Sequence, residues 1–149
     1  MELWELVARE RIRDTLARYN WSGDALRLEE LTKTFCEDGA LELRGREPVR
    51  GRGAIIQLLG GAVAAPNASA KASEVKRIVR HNVTNIRFIE VAPHEARVAC
   101  YFTVFTEIGL DHYGRYRDVF EPVGDDWLIR HRFVSTDWSS PESAMAGGR

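Results

Sequence analysis

With 149 residues, 44% apolar and 29% charged, the chain has the make-up of one globular domain and not of a disordered or fibrous protein. Its 21 basic and 22 acidic side chains leave a formal charge of −1, so there is no basic excess to hold nucleic acid by its phosphates. A chain of this size buries about two-thirds of its unfolded surface, enough for a core without disulfides or structural metal. Eighteen of the bases are Arg and three are Lys, which reads as composition bias and not as chemistry. The long uncharged stretch 54–70 contains Gln57, two glycines, Pro66, Asn67 and Ser69, so no membrane span is expected. The opening MELWELVARER mixes acids and bases early, unlike a targeting peptide, and a cytoplasmic location is expected. Cys36 and Cys100 read as buried thiols, neither a disulfide nor a metal pair.

In chain order, Trp4, Ala8, Ile12, Leu16 and Tyr19 recur at spacings of four, four, four and three, a single stripe on a first helix. Ser22, Gly23 and Asp24 interrupt it and offer caps for a second helix carrying Leu28, Leu31 and Phe35, closed by Asp38-Gly39. A short strand is expected at 40–44, a third apolar helix near 54–64 and a small-residue loop at 65–73. Four long strands follow at 78–91, 96–108, 112–122 and 127–138, rich in Val, Ile, Phe, Tyr and Thr. The joints at 92–95, 109–111 and 123–126 are hairpin-length, so the strands pair antiparallel. Helices first and strands afterwards give an α+β domain over residues 1–138, with a frayed tail at 139–149. The segment 98–105 is apolar at both parities, so both faces of that strand are covered, by helices on one side and a partner subunit, second sheet or cavity on the other.

Polar residues that break an apolar pattern are the candidates for chemistry. His81 shares its parity with Val79 and Val83. Alone it reads as a core histidine held by one hydrogen bond, and Asp24 alone as an N-cap. Tyr19 ends the helical stripe, its ring in the core and its hydroxyl at the rim. His131 lies between Ile129 and Phe133 with no acid suggested nearby, whereas His94 and His112 fall at a turn and a strand start, facing solvent. The cluster Arg44, Arg46, Arg50 and Arg52 is interleaved with Glu42 and Glu47 and reads as a solvated connection. Without a CxxC, HExxH or GxSxG pattern, a metal site or an elbow nucleophile is not expected. What remains is cofactor-free acid–base work by His, Asp and Tyr.

Two sets of residues carry a family resemblance. The first comprises IRDTLARY at 12–19, Ser22-Gly23-Asp24, Leu28-Glu29-Glu30-Leu31 and FCEDGA at 35–40. The second comprises RHNVTNIR at 80–87, Gly114-Arg115-Tyr116-Arg117-Asp118 and GDDWLI at 124–129. Over residues 6–138 the chain resembles SnoaL-like proteins of the nuclear-transport-factor-two-like superfamily. The resemblance implies a cone of strongly curved antiparallel sheet, closed by three helices from the N-terminal half around an apolar cavity. By residues it is most similar to the lyase branch containing scytalone dehydratase, bile acid 7α-dehydratase and hexachlorocyclohexane dehydrochlorinase. There a helix-loop Asp pairs with a strand His, and Asp24 and His81 fall at those places. Tyr19 matches the active-site Tyr of the bile acid enzyme. The general-base Asp of the ketosteroid isomerases would fall at Leu43. The second strand His of scytalone dehydratase has no counterpart, its nearest positions being Thr106 and Ile108.

The resemblance therefore implies a dehydratase-type lyase acting without cofactor or metal on a small hydrophobic, cyclic, oxygen-bearing molecule. Asp24 would orient His81, and His81 would take a proton from carbon. Tyr19, Tyr116 and Tyr101 are expected to hydrogen-bond substrate oxygen, and Phe35, Phe102, Val104 and Phe120 to form apolar walls. Strand parity leaves open which of these point inward. The same family implies a homo-oligomer paired through the outer sheet face, with no nucleic-acid or membrane partner. The alternative reading is a binding or assembly module, like the β subunit of ring-hydroxylating dioxygenases, or a related isomerase or polyketide cyclase.

Overall fold

The computed structural model describes residues 1–64 and 78–145, except the side chains of residues 62–64. The loop expected at 65–73 and the last four residues of the tail lie outside the described residues. Helix α1 spans Leu3–Asp24, α2 Leu28–Thr32 and α3 Arg52–Ala64; the strands are β1 Phe35–Leu43, β2 Val49–Arg50, β3 Arg80–Ala92, β4 Glu95–Thr106, β5 Gly109–Val123 and β6 Asp126–Ser139. Together they form an α+β fold in which one six-stranded sheet, ordered β2-β1-β6-β5-β4-β3, carries the helices on its inner face. Strands β3 to β6 form the expected antiparallel meander, and β1 joins its β6 edge in parallel.

The helical stripe is buried at Ala8, Ile12, Leu16 and Tyr19, with Thr15 and Asn20 beside it. Trp4 does not belong to it: the residue is 39% exposed and its indole N–H donates to Glu2. Nor do Ser22, Gly23 and Asp24 interrupt the helix or cap the next one: they form the last turn of α1. It continues to Asp24, and the chain turns only at Leu26, which takes a φ of +59°. Gly23 serves close packing instead, since a Cβ there would sit 3.1 Å from Leu31. Helix α2 lasts little more than one turn, so Phe35 opens β1 and Asp38-Gly39 lies inside that strand. The pairing of β1 with β6 takes precedence over the helical spacing of Leu28, Leu31 and Phe35.

Each apolar side chain buried between helix and sheet contributes about 1.5–3 kcal/mol. Strand β4 turns Ala96, Val98, Cys100, Phe102 and Val104 inward, all buried. Across from Phe102 stands Gly114, where a Cβ would collide with the Ser135 carbonyl and the Phe102 ring. Thr15 Oγ1 donates to the Trp127 carbonyl at 2.7 Å and fastens α1 to β6. The β4–β5 turn falls at Glu107 and Ile108, earlier than expected, which leaves Asp111 and His112 within β5. Both cysteines are buried and free. Among the described residues no helix is long and apolar enough to cross a membrane.

Candidate active site

Helix α1 packs along β3, which brings the last residue of the helix to the second residue of the strand. The two carboxylate oxygens of Asp24 then meet two donors of one residue. Oδ1 lies 2.6 Å from His81 Nδ1, and Oδ2 accepts the His81 backbone N–H at 2.9 Å. This clamp fixes both the ring plane and the tautomer, placing a hydrogen on Nδ1 and leaving Nε2 as the basic nitrogen. Asp24 is not an N-cap; Arg27 occupies that position of α2 without a side-chain cap bond. His81 is no sealed core residue either. Its side chain is 20% exposed and that of Asp24 is 12% exposed, both on the wall of a recess of about 630 Å³. Asn20, Trp21, Ala25, Arg80 and Asn82 complete that wall among the described residues. Among the described residues no cluster of metal-ligating side chains occurs.

Beneath the dyad lies an aromatic stack. Phe102 packs on His81 with ring centroids 6.5 Å apart and stacks on Tyr116 at 4.6 Å; Tyr19 meets Tyr116 and Phe35, each at 6.0 Å. Tyr19, Tyr116, Phe35, Phe102, Val104 and Phe120 all point inward and are buried. Phe102, Val104, Tyr116, Tyr19 and Phe35 form an apolar floor beside the dyad through these contacts, whereas Phe120 lies towards the far end of β5, against Ala96 and Ile129; none of the six lines the recess. Tyr101 belongs elsewhere. Its parity is opposite to that of Phe102 and Val104, so it stands 53% exposed on the outer face, opposite Thr84 and Arg115. Tyr116 reaches the recess indirectly, its hydroxyl donating to Asn20 Oδ1 at 3.5 Å. Asn20 sits one helical turn before Asp24, a spacing that could have marked it in the sequence.

The interior also holds an ion pair absent from the sequence reading. Arg132 makes two 2.8 Å bonds to Asp118, both side chains fully buried, and its guanidinium lies 4.2 Å from the Tyr19 ring and 3.8 Å from the Tyr116 ring. Burial opposes the Arg132 cation, but Asp118 and the two tyrosines outweigh it and raise its pKa. Burial raises the pKa of both phenols, with Arg132 pulling the other way, so neither ionises near neutrality.

His112, expected to face solvent, is buried on the inner face. Its Nδ1 lies 2.7 Å from Asp111 Oδ1, and its ring stands edge-on to His81 at 6.4 Å. His81, Val104 and His112 are neighbours across three strands, so both imidazoles flank the same small side chain. Asp111 also accepts from Thr106 Oγ1 at 3.0 Å and from Ser143, where the first residues of the tail turn back onto β5. Burial pushes the Asp111 carboxyl up, but the bonds from Ser143, His112 and Thr106 prevail and hold it below its ordinary value. His131 likewise has an acid after all, Glu42 of β1 at 3.0 Å, brought close by the parallel pairing. In the Arg cluster, Arg52 donates to the Phe35 carbonyl at 2.8 Å and Arg44 to the Thr136 carbonyl at 3.0 Å, so both brace strands.

Comparison with known proteins agrees with this architecture. Among solved structures, a candidate scytalone dehydratase from Novosphingobium aromaticivorans is 23% identical over 100% of this chain and 99% of its own, with a TM-score of 0.77. An NTF2-like protein with a cystatin-like fold from the same organism is 24% identical over 91% and 86%, with a TM-score of 0.72. A Catenulispora acidiphila protein in complex with S-DNPA is 24% identical over 87% and 92%, with a TM-score of 0.72. No curated protein matches the chain. The family model for the SnoaL-like domain matches residues 4–133, and the chain belongs to that family.

Proposed function

We propose that the protein is a lyase of the dehydratase type that works without a cofactor, eliminating water from a small, apolar, cyclic ketone or related molecule. The observation that carries this reading is the Asp24 clamp on His81 at the wall of an open recess. His81 Nε2 takes the proton from the carbon next to the carbonyl. Asp24 keeps the ring in the correct tautomer and stabilises the imidazolium that forms, as the acid of a serine-protease triad does. A positioned base of this kind contributes about 10²–10⁴-fold. Tyr116 acts through Asn20, whose amide reaches the recess and holds the substrate oxygen; Tyr19 shapes the floor and packs against Arg132. Phe35, Phe102 and Val104 give that floor its apolar character, and Phe120 belongs to the core towards the far end of β5. The Catenulispora neighbour crystallised with a small molecule is in keeping with such a ligand.

The test is turnover of a cyclohexanone bearing a hydroxyl β to the carbonyl, followed by the ultraviolet absorbance of the enone product. The wild-type protein is expected to form enone and His81→Gln to lose at least about 10²-fold while keeping its fold. Equal rates in both would refute the reading. One observation favours the alternative of a binding or assembly module: Phe102 and Tyr116 stack in the interior beside the dyad, so side chains occupy that part of the core. A wild-type protein that binds such ketones without consuming them would establish that alternative.

A further inference from the structure

The lyase reading names a cyclic ketone and leaves open what the rest of the recess recognises. We infer that Arg80 and Trp21 select a substrate whose ring carries a carboxylate; this rests on that reading and deepens it. Arg80, His81 and Asn82 are consecutive in β3, where side chains alternate between faces, yet all three border the recess. The recess therefore runs along the free margin of the sheet, since β3 is its last strand, and there Asp24 accepts the His81 backbone N–H. Arg80 stands exposed on that margin. Among the described residues it joins no ion pair, and its guanidinium makes one hydrogen bond, to the Val79 carbonyl at 2.9 Å. Most of its donors are thus open to a ligand. Asp24 is the only acid of the described wall, and His81 engages both of its oxygens.

Charge decides what Arg80 takes. Once His81 holds the α proton, its imidazolium balances Asp24, and the Arg80 guanidinium is the uncompensated charge of the described wall. Asn20 and Asn82 are neutral and leave it unopposed. A carboxylate fits that guanidinium by charge and by shape, because the two pair through parallel N–H···O bonds. Neighbouring Cα atoms of a strand lie about 3.8 Å apart, so one small molecule reaches both Arg80 and His81. Trp21 supplies the apolar side. It borders the recess from α1 with 81% of its surface exposed and stacks on no other described ring. A substrate ring laid on the indole is desolvated on one face while its carboxylate stays at the polar margin.

The test compares a cyclohexanone bearing a carboxylate on the ring carbon β to the carbonyl with the neutral carboxamide of the same skeleton. Binding of each to the wild-type protein, Arg80→Gln, Arg80→Lys and Trp21→Leu is measured by calorimetry, and deuterium uptake at the α carbon in D2O by NMR. The wild type is expected to bind the keto acid about five- to twentyfold more tightly than the amide, between a screened surface pair and a buried charged hydrogen bond. Arg80→Gln should cut this preference to about twofold or less, and Arg80→Lys should keep part of it, having the charge without the fork. Trp21→Leu should weaken both ligands alike, and unchanged affinities there overturn the part given to Trp21. Equal wild-type affinities, no binding of either ligand, or an undiminished preference in a folded Arg80→Gln overturns the inference. If Arg80→Gln does not fold, the wild-type preference in about 0.5 M salt decides, and a preference that salt leaves unchanged overturns it. A keto acid bound with the expected preference but without catalysed deuterium uptake overturns the lyase reading alone. Catalysed uptake with equal affinities overturns the present inference alone.

Discussion

Replacing Asp24 by Asn tests the dyad without changing its size. The native carboxylate accepts twice, from the His81 Nδ1–H at 2.6 Å and from the His81 backbone N–H at 2.9 Å. An amide has one acceptor and one donor. The backbone N–H cannot reverse, so the Asn oxygen must go there and its NH2 must face Nδ1. Nδ1 then becomes an acceptor and the ring proton moves to Nε2, the nitrogen that should take the substrate proton. Two charge-assisted bonds are exchanged for neutral ones, at a total cost of about 1–2 kcal/mol. For a chain of this length that lowers Tm by roughly 2–8 °C. The assay is two-dimensional NMR of the imidazole nitrogens in the wild type and in Asp24→Asn, with a thermal melt of each. The expected result is an Nδ1–H tautomer in the wild type, an Nε2–H tautomer in the variant and an enone rate reduced at least about 10²-fold. An Nδ1–H tautomer in both proteins, or a variant as active as the wild type, would refute the reasoning.

Other expectations concern the scaffold. Asp118→Asn leaves the fully buried Arg132 cation without its counter-charge and should cost about 3–5 kcal/mol by denaturant titration. A loss below about 1 kcal/mol would show that the two tyrosine rings suffice. Gly114→Ala sets a Cβ against the Ser135 carbonyl and the Phe102 ring and should cost about 1–3 kcal/mol, read as a lower Tm. Burial pushes the Cys100 thiol up from 9.0 to about 12, so above pH 9 the unfolded chain gives up this proton first. Stability should therefore fall by about 1.4 kcal/mol per pH unit on this account as pH rises from about 9 towards 12, a slope that Cys100→Ala removes.

Much of the site was legible because its signals are local. The stripe of Ala8, Ile12, Leu16 and Tyr19 and the alternation around His81 set the faces of α1 and β3, and the family resemblance placed Asp24 opposite His81. What could not be read depends on pairing between distant segments. Phe35 sits at helical spacing from Leu28 and Leu31, and only its partner Ile129 on β6 makes it a strand residue. The same pairing supplies Glu42 to His131, a neighbour 89 positions away. Strand 98–105 is apolar at both parities, so nothing in its own sequence assigned Tyr101 to the outer face and Phe102 to the inner. Asp111 and His112 were hidden by a turn that falls at Glu107 and Ile108, before Gly109. A two-residue shift there turns Asp111, expected in the turn, and His112, expected to face solvent, into a buried acid–imidazole pair.

The central claim is that His81, poised by Asp24, removes a proton from carbon. Its most direct measurement is the rate at which unsubstituted cyclohexanone takes up deuterium next to its carbonyl in D2O, since that probe has no leaving group and reports the base alone. The account predicts catalysed uptake by the wild-type protein and a background rate with His81→Gln. Background uptake with the wild type, or equal catalysed uptake by the two, would contradict it.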